Sequence, residues 1–249
     1  MIQLESIGHD YGSGVVLEGI DTCIAAGQVT VVCGPNAVGK TTLLRIAAGL
    51  LEPTQGRVSL GAQPIAALSP LEQARRRGYM SQRFECSTGF TVRQVLRLAG
   101  LAGSTRAGDV EPLLDSLELS SLMKRSVATL STGQAQRVAF ARLLLQCPDD
   151  GALILDEPFA ALDPRWSSVL GDQLRQRAAA GGTVLLSIHD LGLVGQLADR
   201  VLLLAETRVA AHGPVESVLV DEVLAPAYGI GFEVLRSGNG GPIPISVRR

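Results

Sequence analysis

Lysine is nearly missing. Of 22 basic residues only Lys40 and Lys124 are lysines, so a site that keeps lysine marks a chemical demand on that side chain. A basic surplus is missing too: 24 acidic residues leave a formal net charge of −2. That balance excludes a chain held on nucleic acid by bulk positive charge. The four cysteines, Cys23, Cys33, Cys86 and Cys147, lie far apart without a C-x-x-C pair. They point to reduced structural thiols in a cytosolic setting rather than a disulfide framework. There is no low-complexity block and no repeat of solenoid length, so disordered, collagen-like and coiled-coil chains are excluded.

A membrane-length apolar run is also lacking, although the mean hydropathy of +0.26 is high. The longest uncharged stretch, Thr22 to Gly39, is broken by glycines, Pro35, Gln28, Thr30 and Asn36. It does not read as the roughly 20 apolar residues of a spanning helix. Met1 leads into a strand-like segment without the basic start and apolar run of a signal peptide. The expectation is a soluble, cytoplasmic yet apolar chain. Its 249 residues suffice for one large domain or two small ones.

Four continuous apolar runs stand out: Val29 to Cys33, Ala152 to Leu155, Val184 to Ile188 and Val201 to Leu204. Continuity rather than alternation predicts strands buried on both faces of a parallel sheet. Helical patterns separate them, at Lys40 to Ala48, Ser131 to Gln146, Arg165 to Ala180 and Leu191 to Leu197. The alternation predicts an α/β layer structure. The first 30 residues read as short strands with turns at Tyr11-Gly12-Ser13-Gly14 and Ala26-Gly27. Residues 84–145 read as a helical insertion, with amphipathic pieces at Thr91 to Leu101 and Val110 to Leu117. Residues 221–249 read as a small helix and a hairpin around Ser237-Gly238-Asn239-Gly240-Gly241, following a main domain over residues 1–220.

Gly34-Pro35-Asn36-Ala37-Val38-Gly39-Lys40-Thr41 fits G-x-x-x-x-G-K-[ST] between a strand and a helix. Glycines at both ends let the backbone curl so that its N–H groups converge on phosphate oxygens. The helix start adds free N–H groups and partial positive charge. Lys40 then neutralises the β and γ phosphates, the Thr41 hydroxyl ligates Mg²⁺, and Thr42 contacts phosphate.

A second apolar strand ends in Asp156-Glu157-Pro158. Acids there sit where an α/β sheet binds its ligand. One carboxylate holds Mg²⁺ through its waters, and the next polarises an attacking water. His189 ends another buried strand at the same edge, within reach of a γ-phosphate. Leu130-Ser131-Thr132-Gly133-Gln134 opens a helix, and Ser131 with Gln134 makes a capping box whose free N–H groups are a second anion site.

Leu130-Ser131-Thr132-Gly133-Gln134, followed by Gln136-Arg137-Val138-Ala139-Phe140-Ala141-Arg142, resembles the signature motif of ATP-binding cassette (ABC) ATPases, usually LSGGQ. Other segments fall into that family's order over most of the chain. Tyr11 resembles the aromatic residue that stacks on adenine, residues 34–42 resemble Walker A, and Gln82 resembles the Q-loop glutamine that senses Mg²⁺ and water. Asp156 and Glu157 resemble the Walker B aspartate and catalytic glutamate, Asp163 the D-loop, and His189 the H-loop switch. The resemblance implies a P-loop NTPase (RecA-like) core of ABC ATPase type, with an N-terminal antiparallel β subdomain and an inserted α-helical subdomain. It also implies ATP and Mg²⁺ as ligands. Two copies would pair head to tail, with each ATP between Walker A of one and Ser131–Gln134 of the other. Thr132 stands where the family usually has glycine, which predicts crowding or a restricted backbone near the γ-phosphate, and slower turnover. Phe159 replaces a common threonine.

With no spanning segment, transport requires separate permease subunits at the cytoplasmic face of the membrane, and indirectly a substrate-binding protein. Phe84, Phe90, Val92, Val95 and Leu96 either line a groove for a permease helix or form ordinary core. The tail, Tyr228-Gly229 followed by Phe232-Glu233-Val234-Leu235 and Gly241-Pro242-Ile243-Pro244-Ile245, resembles importers of ferric siderophores, haem and cobalamin. An exporter ATPase and a non-transport ABC ATPase are the alternatives. Nucleic acid is not an expected partner.

Overall fold

The computed structural model describes residues 1–82, 89–102, 107–238 and 240–247. Phe84, Cys86 and Asn239 lie outside the described residues. In chain order the elements are β1 (Ile2–Asp10), β2 (Val15–Ile24), β3 (Val29–Cys33), α1 (Lys40–Ala47), β4 (Gln55–Leu60), β5 (Gln63–Pro64) and α2 (Pro70–Arg76). There follow β6 (Arg77–Met80), α3 (Val92–Ala102), α4 (Ala107–Ser116), α5 (Thr132–Gln146), β7 (Ala152–Asp156), α6 (Pro164–Ala179) and β8 (Thr183–Ser187). The chain continues with α7 (Leu191–Leu197), β9 (Arg200–Ala205), β10 (Arg208–Pro214), α8 (Val215–Val218), α9 (Asp221–Tyr228), β11 (Gly231–Arg236) and β12 (Pro242–Val247).

The central sheet has the order β10-β9-β3-β8-β7-β6. Its pairs are parallel except for β10 against β9. The four apolar runs are its four inner strands, and each feeds both faces. Val31, Leu153, Leu155, Val184, Leu186, Val201 and Leu203 join one core. Val32, Ile154, Leu185, Leu202 and Leu204 join the other. Successive side chains on a strand point to opposite faces, so a strand covered on both sides is apolar at most positions.

The second core is shared with an antiparallel sheet of order β2-β1-β4-β5, which supplies Ile2, Leu4, Ile7, Leu17 and Ile20, and with Leu43, Leu44 and Ile46 of α1. The first core takes in the helical insertion. Val92, Val95 and Leu96 are buried there with Val138 and Phe140 of α5. These three side chains are therefore core and line no open groove. Among the described residues, Phe90 and Leu98 of this region and Leu71 of α2 are large apolar side chains left exposed.

The parallel topology brings the C-terminal ends of β3, β8, β7 and β6 side by side. Residues 34, 187–189, 156–157 and 81–82 therefore emerge along one edge, where such sheets bind ligands. The hairpin β11–β12 packs its second strand against α7.

Candidate nucleotide site

The loop after β3 curls as the glycine spacing predicts. Gly34 has φ +142° and Gly39 has φ +103°. A Cβ on Gly34 would stand 2.4 Å from the Leu204 carbonyl oxygen, so glycine is required there for space as well as conformation. Ala37 also takes a positive φ, 62°. Lys40 opens α1 and is buried. Its Nζ donates to the carbonyls of Gly34 at 2.7 Å and Pro35 at 2.8 Å. Burial lowers the Lys40 pKa below the ordinary lysine value, while the nearby Glu157, the Cys33 thiol and Asp156 pull it back up. The buried ammonium thus rests on two neutral carbonyls, a place that favours arriving phosphate charge.

Beside it, three strand ends build the acidic half. Asp156 is buried, and its Oδ1 accepts a 2.6 Å hydrogen bond from the Ser187 hydroxyl. The same hydroxyl accepts the Glu157 N–H at 2.9 Å. Glu157 sits at φ 49°, a left-handed conformation costing about 1–2 kcal/mol for a residue with a side chain. Strain of this kind persists where surrounding bonds over-determine it. The Glu157 carboxylate is held at both oxygens. Gln82 Nε2 donates to Oε2 at 2.8 Å, and His189 Nε2 pairs with Oε1.

Tyr11 is half exposed, packs edge-on against His9 with ring centroids 4.5 Å apart, and meets the Thr42 hydroxyl at 3.3 Å. Its ring therefore stands at the rim of the phosphate loop. Thr41 and Asp156 offer hydroxyl and carboxylate oxygens, the hard donors Mg²⁺ takes. Among the described residues no group of three or more His, Cys, Asp or Glu could hold a metal alone. A Mg²⁺ here fits as an ion that draws most of its ligands from water and phosphate oxygens, as is usual for nucleotide sites.

The capped helix is as expected. The Ser131 hydroxyl accepts the Gln134 N–H at 3.3 Å, and Gln134 Oε1 accepts the Ser131 N–H at 3.1 Å. Thr132 is the first residue of α5, in helical conformation and without positive φ. This corrects the expectation of a restricted backbone: threonine fits the φ and ψ there, and only side-chain crowding remains. Ser131–Gln134 are not part of the phosphate-loop cluster. Helix α5 packs on α3 and β6, whereas α1 packs on β7 and β8. The N-terminus of α5 and the phosphate loop thus belong to differently packed helices. Asp163 caps α6, accepting the Trp166 N–H at 3.0 Å.

Three residues of the site were not singled out by sequence for the contacts they make. Ser187 bridges Asp156 and Glu157, and its one signal is a hydroxyl directly after the apolar Val184-Leu185-Leu186. Gln136 is buried on α5, and its Nε2 donates to the Pro158 carbonyl at 3.1 Å, behind Glu157. The Tyr228 hydroxyl accepts the Gly34 N–H at 3.1 Å. Beyond Glu157 and His189 a cavity of about 850 Å³ opens between α6 and α7, with Ile243 of the hairpin in its wall. No residue of the loop 34–42 lines it, so it adjoins the phosphate site without being that site.

Known proteins match this arrangement. The family model described as ABC transporter matches residues 17–160. The hemin import ATP-binding protein HmuV of Rhodopseudomonas palustris (strain HaA2) is 33% identical, aligned over 97% of this chain and 95% of that protein. HmuV of Bradyrhizobium diazoefficiens is 35% identical, over 100% of this chain and 96% of that protein. A solved ATP binding subunit of an ABC transporter superposes with a TM-score of 0.81 at 26% identity, covering 88% of this chain and 91% of that one. An inward-facing ABC transporter described as metal-chelate type gives 0.79 at 21% identity, over 100% of this chain and 98% of that one, and shares the fold. The family model spans the phosphate loop, the capped α5 and the Asp156-Glu157 strand end, and the relatives are about a third identical almost end to end; the chain belongs to the ABC transporter family, as an ATP-binding subunit that hydrolyses ATP.

Proposed function

We propose that this chain is the energy-coupling ATPase of an importer for haem or a related metal chelate. Likeness to hemin import ATP-binding proteins along nearly the whole chain supports the cargo class, because it extends through the C-terminal residues as well as the cassette. No described helix is long and apolar enough to cross a membrane. In this reading the chain acts on cargo through permease subunits, as a peripheral partner at the cytoplasmic face, fed by a substrate-binding protein. Residues 1–220 form the ATPase domain, with residues 84–145 its helical part and 221–249 an extension.

The observation that carries the mechanism is the carboxylate of Glu157, held between Gln82 and His189 beside the buried Lys40. ATP lies with its phosphates in the loop 34–42 and its adenine against Tyr11. Lys40 exchanges the Gly34 and Pro35 carbonyls for phosphate oxygens. Mg²⁺, when bound near Thr41, Asp156 and Gln82, neutralises charge on the phosphates. Glu157 orients and deprotonates the attacking water, a contribution typically of about 10²–10⁴-fold. His189 holds the carboxylate and reaches the γ-phosphate. The N-terminus of α5, at Ser131, Thr132, Gly133 and Gln134, caps the γ-phosphate of a second copy's ATP, and Asp163 lies at the same interface. Binding closes that dimer and hydrolysis reopens it.

Glu157→Gln tests the assignment. It keeps the shape and loses the base, so turnover falls at least about 100-fold while ATP binding persists and an ATP-bound dimer accumulates in size-exclusion chromatography. Unchanged turnover removes Glu157 from catalysis. In vesicles carrying the chain, its permease and its binding protein, hemin stimulates ATP turnover. If a ferric siderophore or cobalamin stimulates and hemin does not, the cargo lies elsewhere in the same class.

A further inference from the structure

Tyr228 lies 194 residues from Gly34 in sequence, yet its hydroxyl accepts the Gly34 N–H at 3.1 Å. The ring closes α9 and packs edge-to-face on Phe232, with centroids 5.6 Å apart. Burial pushes the phenol up from its ordinary value, so it stays neutral, accepting from Gly34 with its own proton still to give. The same glycine gives its carbonyl to Lys40 at 2.7 Å. Its α-carbon lies against the Leu204 carbonyl, where a Cβ would come within 2.4 Å. The first residue of the phosphate loop is thus fixed from three directions, by β9, by Lys40 and by the C-terminal helix.

The residues that follow pack on α7. At Gly195 of α7 a Cβ would come within 1.7 Å of the Pro242 carbonyl oxygen, so backbone lies directly on backbone there. Helix α7 begins right after His189 and Asp190. The C-terminal extension therefore touches both the loop for the phosphates and the helix behind the switch histidine.

We propose that Tyr228 is a positioning residue for ATP binding. Its hydroxyl fixes the Cys33–Gly34 peptide, so the phosphate loop meets the nucleotide already shaped. The extension is then part of the scaffold of the ATP site and more than a packing tail. A loop released from this bond must be ordered by the ligand, and that cost appears in affinity. The inference rests on reading residues 34–42 as the nucleotide site.

Tyr228→Phe removes the hydroxyl and keeps the ring on Phe232. For the full chain, the ATP dissociation constant from calorimetry rises about 3- to 10-fold, the effect of one net hydrogen bond. KM rises by a similar factor, kcat changes less, and the Gly34 amide exchanges faster with solvent by NMR. A packing role would shift only the melting temperature. Wild-type affinity, KM and Gly34 exchange in Tyr228→Phe overturn the assignment, whatever the melting temperature does. Should that variant fail to fold, Phe232→Leu loosens the ring's support while keeping the hydroxyl, with the same readouts moving in the same direction; no movement counts against the assignment. Lys40→Ala is measured alongside. If it binds ATP normally, the reading of residues 34–42 fails; if it loses ATP while Tyr228→Phe does not, only the Tyr228 assignment fails.

Discussion

Removal of the Ser187 hydroxyl strikes stability and catalysis through one atom. That oxygen is fully buried, donates to the Asp156 carboxylate at 2.6 Å and accepts the Glu157 N–H at 2.9 Å. A hydrogen bond to a charged group is worth about 2 kcal/mol and a neutral one about 1 kcal/mol. Ser187→Ala therefore costs about 3 kcal/mol, since both partners are left without this contact in a buried site. The kinetic effect follows from the backbone. Glu157 holds φ 49°, and without its N–H anchor the penalty of about 1–2 kcal/mol for a left-handed residue is no longer offset. The carboxylate then leaves the position between Gln82 and His189, and kcat falls about 5- to 30-fold. Urea unfolding and ATP turnover at saturating nucleotide measure the two effects separately. Ser187→Thr keeps the hydroxyl and adds a methyl group to a packed strand, at a cost of about 1 kcal/mol or more. It should restore most of the turnover and only part of the stability. A Ser187→Ala variant within about 0.5 kcal/mol of the parent, the range of an ordinary surface change, and with unaltered kcat would refute the reasoning.

Two further predictions concern charge and crowding. Burial keeps the Lys40 pKa below the usual lysine value, and bound phosphates raise it again. ATP binding therefore takes up protons once the free chain starts to lose the Lys40 proton, and affinity falls as pH climbs through that lowered value. The free chain's stability moves the other way, because the unfolded state holds more protons in that window. Calorimetry in alkaline buffers of different ionisation enthalpy reads the proton uptake, and zero uptake counts against the assignment. Thr132→Gly removes a side chain from the first turn of α5, at a helix cost of up to about 1 kcal/mol. Steady-state turnover rises if Thr132 crowds the γ-phosphate; unchanged turnover and ATP affinity remove threonine as a brake.

The buried strands were readable because they are covered on both faces and are apolar at most positions, with Thr30, Thr183, Ser187 and Asp156 the buried polar exceptions. The edges were not. Strand β6, Arg77-Gly78-Tyr79-Met80, carries no apolar run, and β10 shows partly exposed residues along an antiparallel edge. Their pairing depends on neighbours rather than on their own pattern. Lys40, Asp156, Glu157 and Ser131 announce themselves because their chemistry is local, a loop, a strand end or a helix cap. Ser187 and Tyr228 do not, because each acts on a residue 30 or 194 positions away. Val92, Val95 and Leu96 illustrate the converse. An amphipathic face tells that something covers it, and here the cover is α5 within the same chain.

The bond from Gln136 to the Pro158 carbonyl has a mechanical consequence. Gln136 belongs to the helix whose first turn would face a second copy, and Pro158 follows directly on Glu157. Gly133 on that same first turn lies close against the Ala161 carbonyl, where a Cβ would stand at 3.2 Å. Helix and loop therefore meet at two places, one a hydrogen bond and the other a close approach. A swing of the helical part would strain the Gln136 bond, which is made to the residue directly after Glu157. In the proposed dimer each chain thus links, through the Gln136 side chain, the nucleotide at its own phosphate loop to the one that its α5 would cap.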